Sequence, residues 1–380
     1  MQRTKSLEFS FLCDFKIITM LKKRIQLLAA VVAGLFLIFI PTSCDNELRI
    51  NAPYEVVPVL YGILDFQQDT NWVRIGRSYQ GGDLGAAGGL NHPDSIYMGP
   101  LKVLLLEFVN NNRTRTIVLD RDEGRRLADG PFTGAGFHLY RTTTTLLPQA
   151  RYTIEVYEDE KLLMSASTPM VTAPPIREPR PNQSIALSRL GGQQLQWEHV
   201  PNARIYQSFL RLHYIEVARP GYDSIEKILD LNLPTQIANN ITGGGSNVGT
   251  VITLDSYVNF LRGNLNSDVN TFRLAKHFDL HVTAGEDQLA TYISVRQPAT
   301  GIVQDKPEFT NVNGGVGIFS SRTTIVRERI NIAQPTLDSL NFGIVACGLR
   351  FSSYQGLPSP AYCFCDPTSN QERICHFIQR

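Results

Sequence analysis

The feature that most constrains this chain is a long series of short runs that alternate apolar and polar side chains, with turn residues between them. Val56 to Tyr61, Trp72 to Arg77, Leu101 to Phe108, Thr116 to Leu119, Tyr152 to Tyr157 and Leu162 to Ser167 are rich in β-branched and aromatic residues. The alternation in Trp72-Val73-Arg74-Ile75-Gly76-Arg77 gives one face to a core and the other to water, as a half-buried strand requires. Asn110-Asn111-Asn112, Asp120 to Gly124 and Asp159-Glu160 supply the turns. Strands at this spacing, with no helical period between them, predict a mainly β fold beginning with an immunoglobulin-like β-sandwich over 55–172.

Residues 173–182 hold four prolines in ten residues. Proline removes backbone donors and pre-extends the chain, so this segment is expected to be a linker or a strand-poor crossover. Beyond it, 183–345 predict a second β-rich domain, with strands at Leu195 to Trp197, Ile205 to Val217, Phe278 to Thr283, Leu289 to Val295 and Gly315 to Ile325. The spacing of Trp197 and Tyr206 is similar to that of the core Trp and Tyr of fibronectin type III modules. A short helix is expected at Ser256 to Arg262, with Asp255 as N-cap and Gly263 as terminator. No internal repeat is visible. Residues 346–380 form a Cys-rich tail, in which Cys347, Cys363, Cys365 and Cys375 are candidates for disulfides, a metal site or free thiols.

One segment departs from this soluble pattern. Leu27 to Ile40 is a run of 14 residues without a polar side chain, preceded by Lys22, Lys23 and Arg24 and followed by Pro41-Thr42-Ser43-Cys44. A basic cluster, an apolar run and small residues make a secretory signal, and the run falls short of the roughly 20 residues that cross a bilayer comfortably. Thr42 and Ser43 before Cys44, with Asp45, Asn46 and Glu47 after it, resemble the lipobox of bacterial lipoproteins, although Pro41 replaces the usual leucine. The expected layout is therefore a mis-annotated upstream extension over 1–19, a lipoprotein signal peptide over 20–43 starting at Met20, and a tether over 44–54 lipidated at Cys44. Acyl chains on that cysteine would hold the protein to a membrane at ~0.8 kcal/mol per buried methylene. Removing the six basic and two acidic residues of 1–43 leaves 30 basic and 33 acidic, a net charge of −3. That balance, without a Lys/Arg cluster, argues against nucleic acid as a partner.

Chemistry is sparse in the sequence. Neither a G-x-S-x-G elbow nor an H-E-x-x-H helix occurs, so no catalytic residue is assigned. The glycine-rich stretches Gly81 to Gly89 and Gly243 to Gly249 carry no lysine and read as surface loops. No cofactor and no metal is assigned. The nearest approach to a ligand set is His277, Asp279 and His281, on one face of an expected strand whose Phe278 and Leu280 face the core. Ligands two residues apart on a strand stand ~6–7 Å apart, long for one ion.

The segment Ala284 to Arg322 (AGEDQLATYISVRQPATGIVQDKPEFTNVNGGVGIFSSR) is the most distinctive in the chain. With Ala52 to Asp65, Trp72 to Ile75 and Pro93 to Tyr97, it resembles uncharacterised Bacteroidota outer-membrane lipoproteins often associated with TonB-dependent receptors. The resemblance covers nearly all of the chain beyond Cys44 and assigns no catalytic residue. It implies a non-enzymatic outer-membrane or surface lipoprotein, a binding or accessory component of such a receptor or of another surface assembly, with its ligand unspecified. The alternative is an enzyme acting on surface glycans or peptides through a site assembled from distant residues. Asn311 and Asn313 are candidates to line a binding surface, or are turn and core residues. Asp94-Ser95-Ile96, Asp223-Ser224-Ile225 and Asp338-Ser339-Leu340 resemble the Bacteroidota O-glycosylation motif.

Overall fold

The computed structural model describes residues 57–77, 99–122, 139–188, 191–266, 268, 270–296, 309–343, 346–355, 361–365 and 374–377. The apolar segment, Cys44 and Asp94 to Ile96 lie outside them. Among the described residues no helix is long and apolar enough to cross a membrane. The chain is mainly β.

The first half contributes β1 (Pro58–Leu64), β2 (Asn71–Arg77), β3 (Leu101–Val109), β4 (Asn112–Val118), β5 (Asp120–Asp122), β6 (Leu139–Thr142), β7 (Arg151–Glu158) and β8 (Lys161–Pro169). Strands β4-β3-β7-β8 form one antiparallel sheet, facing β1, β2 and β6 of another. Their alternation works as the sequence demands: Tyr152, Ile154 and Val156 of β7 point inward against Leu60, Val73 and Ile75. Burying each such side chain contributes ~1.5–3 kcal/mol, so two facing sheets with one apolar face each make a stable sandwich.

The second half supplies β9 (Ile176–Glu178), β10 (Gln193–Glu198), β11 (Ala203–Ala218), β12 (Asp223–Asn232), β13 (Gln236–Ile237), β14 (Asn247–Ile252), α1 (Leu254–Asn264), β15 (Thr271–Glu286), α2 (Asp287–Arg296), β16 (Val316–Asn331) and α3 (Gln334–Phe342). The small sheet β14-β10-β9 and α1 cover the long strands β11 and β15. Trp197 and Tyr206 are fully buried in this second core, their ring centroids 6.1 Å apart. The N-cap of α1 is Thr253, two residues before the expected Asp255, because Thr253 and Ser256 form a reciprocal capping box that Asp255 does not enter.

A nine-stranded sheet, ordered β12-β11-β15-β16-β1-β2-β6-β5 with β13 beside β11, runs through both halves. Strand β16 splices it. Val316 to Ser321 pair in parallel with β1, and Arg322 to Asn331 pair antiparallel with β15. Phe319 accordingly packs in the first core and Ile330 in the second. The boundary at 173–182 separates two cores, yet the first is completed by Val312 and Phe319 from beyond it. Nor is 173–182 a free linker. Strand β9 pairs with β10, Ile176 is buried, and the Arg327 guanidinium holds the carbonyls of Ile176 and Pro179.

One further expectation is corrected. Leu289 to Val295 is not a strand but the body of α2, whose first turn is capped by the Glu286 side chain accepting from Gln288 N–H at 2.9 Å. Asn311 and Asn313 serve the fold. The Asn311 amide spans Phe319, donating to its carbonyl at 2.7 Å and accepting from its N–H at 2.9 Å. Asn313 exchanges backbone hydrogen bonds with Ser165. Gly317, at φ 124°, closes the approach to β1, where a Cβ would stand 2.0 Å from the Leu60 carbonyl oxygen.

The C-terminal segment is docked. Strands β17 (Ser353–Gln355), β18 (Ala361–Phe364) and β19 (Ile374–Phe377) form a small antiparallel sheet. Cys347 and Cys365 are joined by a disulfide, Cα–Cα 5.1 Å. Cys363 is also disulfide-bonded, and its register partner on β19 is Cys375. Buried Arg273 ties this module down, donating to the carbonyls of Leu349 (2.7 Å) and Asn266 (2.8 Å).

Candidate functional site

The outer face of β11 and β15, opposite the second core, carries a cluster of polar and aromatic groups. Alternation along β15 buries Phe278, Leu280 and Val282 and turns His277, His281 and Thr283 outward. Strand β11 answers residue for residue, with Phe209 opposite His281, Arg211 opposite Asp279 and His213 opposite His277. Facing pairs on neighbouring antiparallel strands have Cβ atoms ~4.5–5.5 Å apart, so flat rings stack. Phe209 and His281 do so at 4.2 Å and 12°, and His213 and His277 at 4.3 Å and 15°.

Two β-bulges shape this face. Between His213 and Tyr214 the partner strand advances from His277 to Ala275, leaving Lys276 as an extra residue. Ala275 then packs against the core, and Lys276 reaches Glu226 of β12 at 3.1 Å. The second bulge lies on β16 opposite Asp279, where Arg329 adopts φ 53° and its N–H donates to Asp279 Oδ1 at 2.8 Å. A bulge re-aims side chains that strict pairing would separate. The result gathers three groups: His213 Nε2 lies 2.8 Å from Asp279 Oδ2, and His277 Nε2 lies 3.8 Å from Asp279 Oδ1. Candidate ligand atoms of His213, His277 and Asp279 all lie within 4.8 Å of one another.

Of the residues singled out in sequence, His277 and Asp279 are therefore brought together, and His281 is not. His281 stacks on Phe209, and its buried Nε2 has no hydrogen-bond partner among the described residues. The missing member is His213, which lies 64 residues earlier in sequence and carries no motif. Its only signal is position within the long strand Ile205 to Val217. Burial, and then the neighbouring His213, depress the His277 pKa below the usual imidazole range. Arg211 forms a two-pronged pair with Asp230 at 2.7 and 2.8 Å, which holds that carboxylate below its ordinary pKa.

At the other end of the same face, α2 folds over the sheet and encloses a cavity of about 290 Å³, lined by Ile63, Ile205, Gln207, Thr283, Gly285, Leu289, Tyr292, Ile293 and Arg322. Its lining is mostly apolar, with Gln207, Thr283, Tyr292 and Arg322 as the polar members. Inward from this end lies Glu286, accepting from Ser320 Oγ at 2.8 Å. Burial raises its carboxyl pKa to about 7.

No family model matches this chain, and no curated protein matches it significantly. Among solved structures it is similar to the FN1–FN3 domains of chicken CNTN1, at 8% identity and a TM-score of 0.19, covering 62% of this chain and 61% of that one. It is also similar to the C-terminal globular domain of the oligosaccharyltransferase from Pyrococcus abyssi, at 10% identity and a TM-score of 0.14, covering 69% of this chain and 44% of that one. The chain thus spans less than two thirds of either structure, and likenesses at these scores carry no weight for fold or function.

Proposed function

We propose that this protein is an exported lipoprotein of a bacterial outer membrane, held by acyl chains on Cys44, that serves as a binding or accessory component of a TonB-dependent receptor or another surface assembly. The observation that carries the reading is the pairing of two features. A basic cluster, an apolar run and Thr42-Ser43-Cys44 stand ahead of a body that contains a Cys347–Cys365 disulfide. Disulfides persist in oxidising compartments and are rare in the cytosol, so the C-terminal bond and the N-terminal signal point to the same destination. The half-open cavity under α2 and the ring-lined face beside it give the body a surface suited to contacts.

The test is direct. Cells making the Cys44→Ala chain should release it into the soluble fraction or accumulate the unprocessed precursor, and labelled palmitate should enter the parent chain alone. A Cys44→Ala chain that is cleaved normally and still partitions into detergent would refute the anchor. Crosslinking in intact membranes, followed by identification of the captured protein, tests the receptor.

A further inference from the structure

We propose that His213, His277 and Asp279 form a binding site for one divalent transition-metal ion of the zinc class on the outer face of the nine-stranded sheet. Two imidazole nitrogens and one carboxylate oxygen are a borderline donor set, suited to zinc and its neighbours rather than to calcium or magnesium, which take oxygen alone. Zinc bonds of ~2.0–2.2 Å in a tetrahedron set ligand atoms ~3.3–3.5 Å apart. The three residues already present ligand atoms within 4.8 Å, the closest pair at 2.8 Å. Zinc binding would require His213 and Asp279 to part by about half an ångström and the His277 ring to turn toward Asp279.

The surroundings are arranged as outer partners of a metal site. Metal-bound imidazoles usually turn their second nitrogen to a carboxylate. His213 Nδ1 faces Glu226 Oε1 at 3.8 Å, and Glu226 is itself held by Lys276 at 3.1 Å. Asp279 is oriented by the Arg329 N–H. Two nearby cations are paired with acids, Arg211 with Asp230 and Lys276 with Glu226, while Arg329 adds a further positive charge near His277. Two bulges converge on the cluster, one of them placing non-glycine Arg329 at positive φ. Such local cost is characteristically retained beside functional sites. Three protein ligands leave a position for water on the solvent side.

The site is independent of the lipid anchor, and its test is separate from that of export. The full chain, without an affinity tag and stripped with chelator, is titrated calorimetrically with zinc chloride, with magnesium chloride as comparison. One zinc per chain and a rise in Tm are expected, with no response to magnesium. His213→Ala and His277→Ala should each weaken zinc by at least about tenfold, with circular dichroism confirming the fold. His281→Ala should leave the affinity unchanged. Should the histidine variants fail to fold, cobalt(II) added to the parent chain gives the answer, since a tetrahedral site produces intense visible d–d bands. A cobalt spectrum identical to the aqueous ion, zinc that does not saturate below millimolar concentration, or undiminished affinity in the folded His213→Ala, His277→Ala double variant each overturns the site.

Discussion

At the scale of single residues, the buried acid Glu286 couples stability to pH. Its carboxyl keeps a proton up to about pH 7 in the folded chain, whereas the same group ionises near 4.5 when unfolded. Between those values the native state binds more protons than the unfolded one, so stability falls as pH rises through that window, by something on the order of 3 kcal/mol in all. Glu286→Gln keeps an acceptor for Ser320 and Gln288 and should flatten the slope between pH 4.5 and 7. Urea unfolding of both proteins across this range checks it, and equal slopes would refute it. Other single residues show what the sequence left unread. Tyr152 Oη accepts from Leu147 N–H at 2.7 Å, and Tyr206 Oη accepts from Val200 N–H at 3.0 Å. Each is a tyrosine corner of the kind found in immunoglobulin-like sandwiches, and each follows a turn closed by Ala150 N–H to the Leu147 carbonyl or Ala203 N–H to the Val200 carbonyl. Leu147-Pro148-Gln149-Ala150-Arg151-Tyr152 and Val200-Pro201-Asn202-Ala203-Arg204-Ile205-Tyr206 are alike except for one inserted residue. That insertion hides the likeness from a search for repeats of fixed spacing. His213 was harder to find: only cross-strand register places it beside Asp279, and register is not written in any short window of sequence.

At the scale of elements, alternation was the dependable signal and its interruptions were not. The strands β3, β7 and β8 coincide closely with their apolar–polar runs because each buries one face, and the irregularities of their sheet fall near strand ends, at Glu107/Phe108 and Val156/Tyr157. Helix α2 is masked in the sequence because Leu289 to Val295 is rich in apolar and β-branched side chains and its cap is Glu286, an uncommon capping residue. The helical spacing was nonetheless present in Leu289, Tyr292 and Ile293, which together line one wall of the cavity. The bulge at Lys276 was invisible for a related reason, since one extra residue inverts the in–out pattern on either side of it. The C-terminal module resembles a tail in sequence because its strands are only three or four residues long. The disulfide spans 18 residues of sequence, which in the chain-entropy picture contributes about 3 kcal/mol through the unfolded state. Replacing Cys347 and Cys365 together by Ser should therefore lower stability by roughly that amount under non-reducing conditions. The module should also become sensitive to limited proteolysis, although buried Phe351 and Phe364 still anchor it. A double variant with the urea midpoint and protease resistance of the parent would exclude a stabilising role.

At the scale of the whole body, two cores share one strand, and that sharing sets how residues 56–380 unfold. Two sandwiches joined by a free proline-rich linker would melt as two transitions. Here β16 gives Phe319 to one core and Ile330 to the other within 12 residues of continuous strand. The seam is stitched further by Ser321 Oγ, which donates to the Pro169 carbonyl at 2.7 Å, and by Asn202 Nδ2, which donates to the Met170 carbonyl at 3.1 Å. Losing either core strips β16 of half its ladder and leaves fully buried apolar side chains of the other exposed, at ~25 cal/mol per Å². Calorimetry of the full chain should accordingly show one transition whose van't Hoff and calorimetric enthalpies agree. Residues 45–172 expressed alone lack Val312, Phe319 and the strand that covers β1, so they should show no cooperative melt. Two resolved calorimetric transitions, or a 45–172 fragment with a sharp melt of its own, would show that the shared strand does not couple the cores.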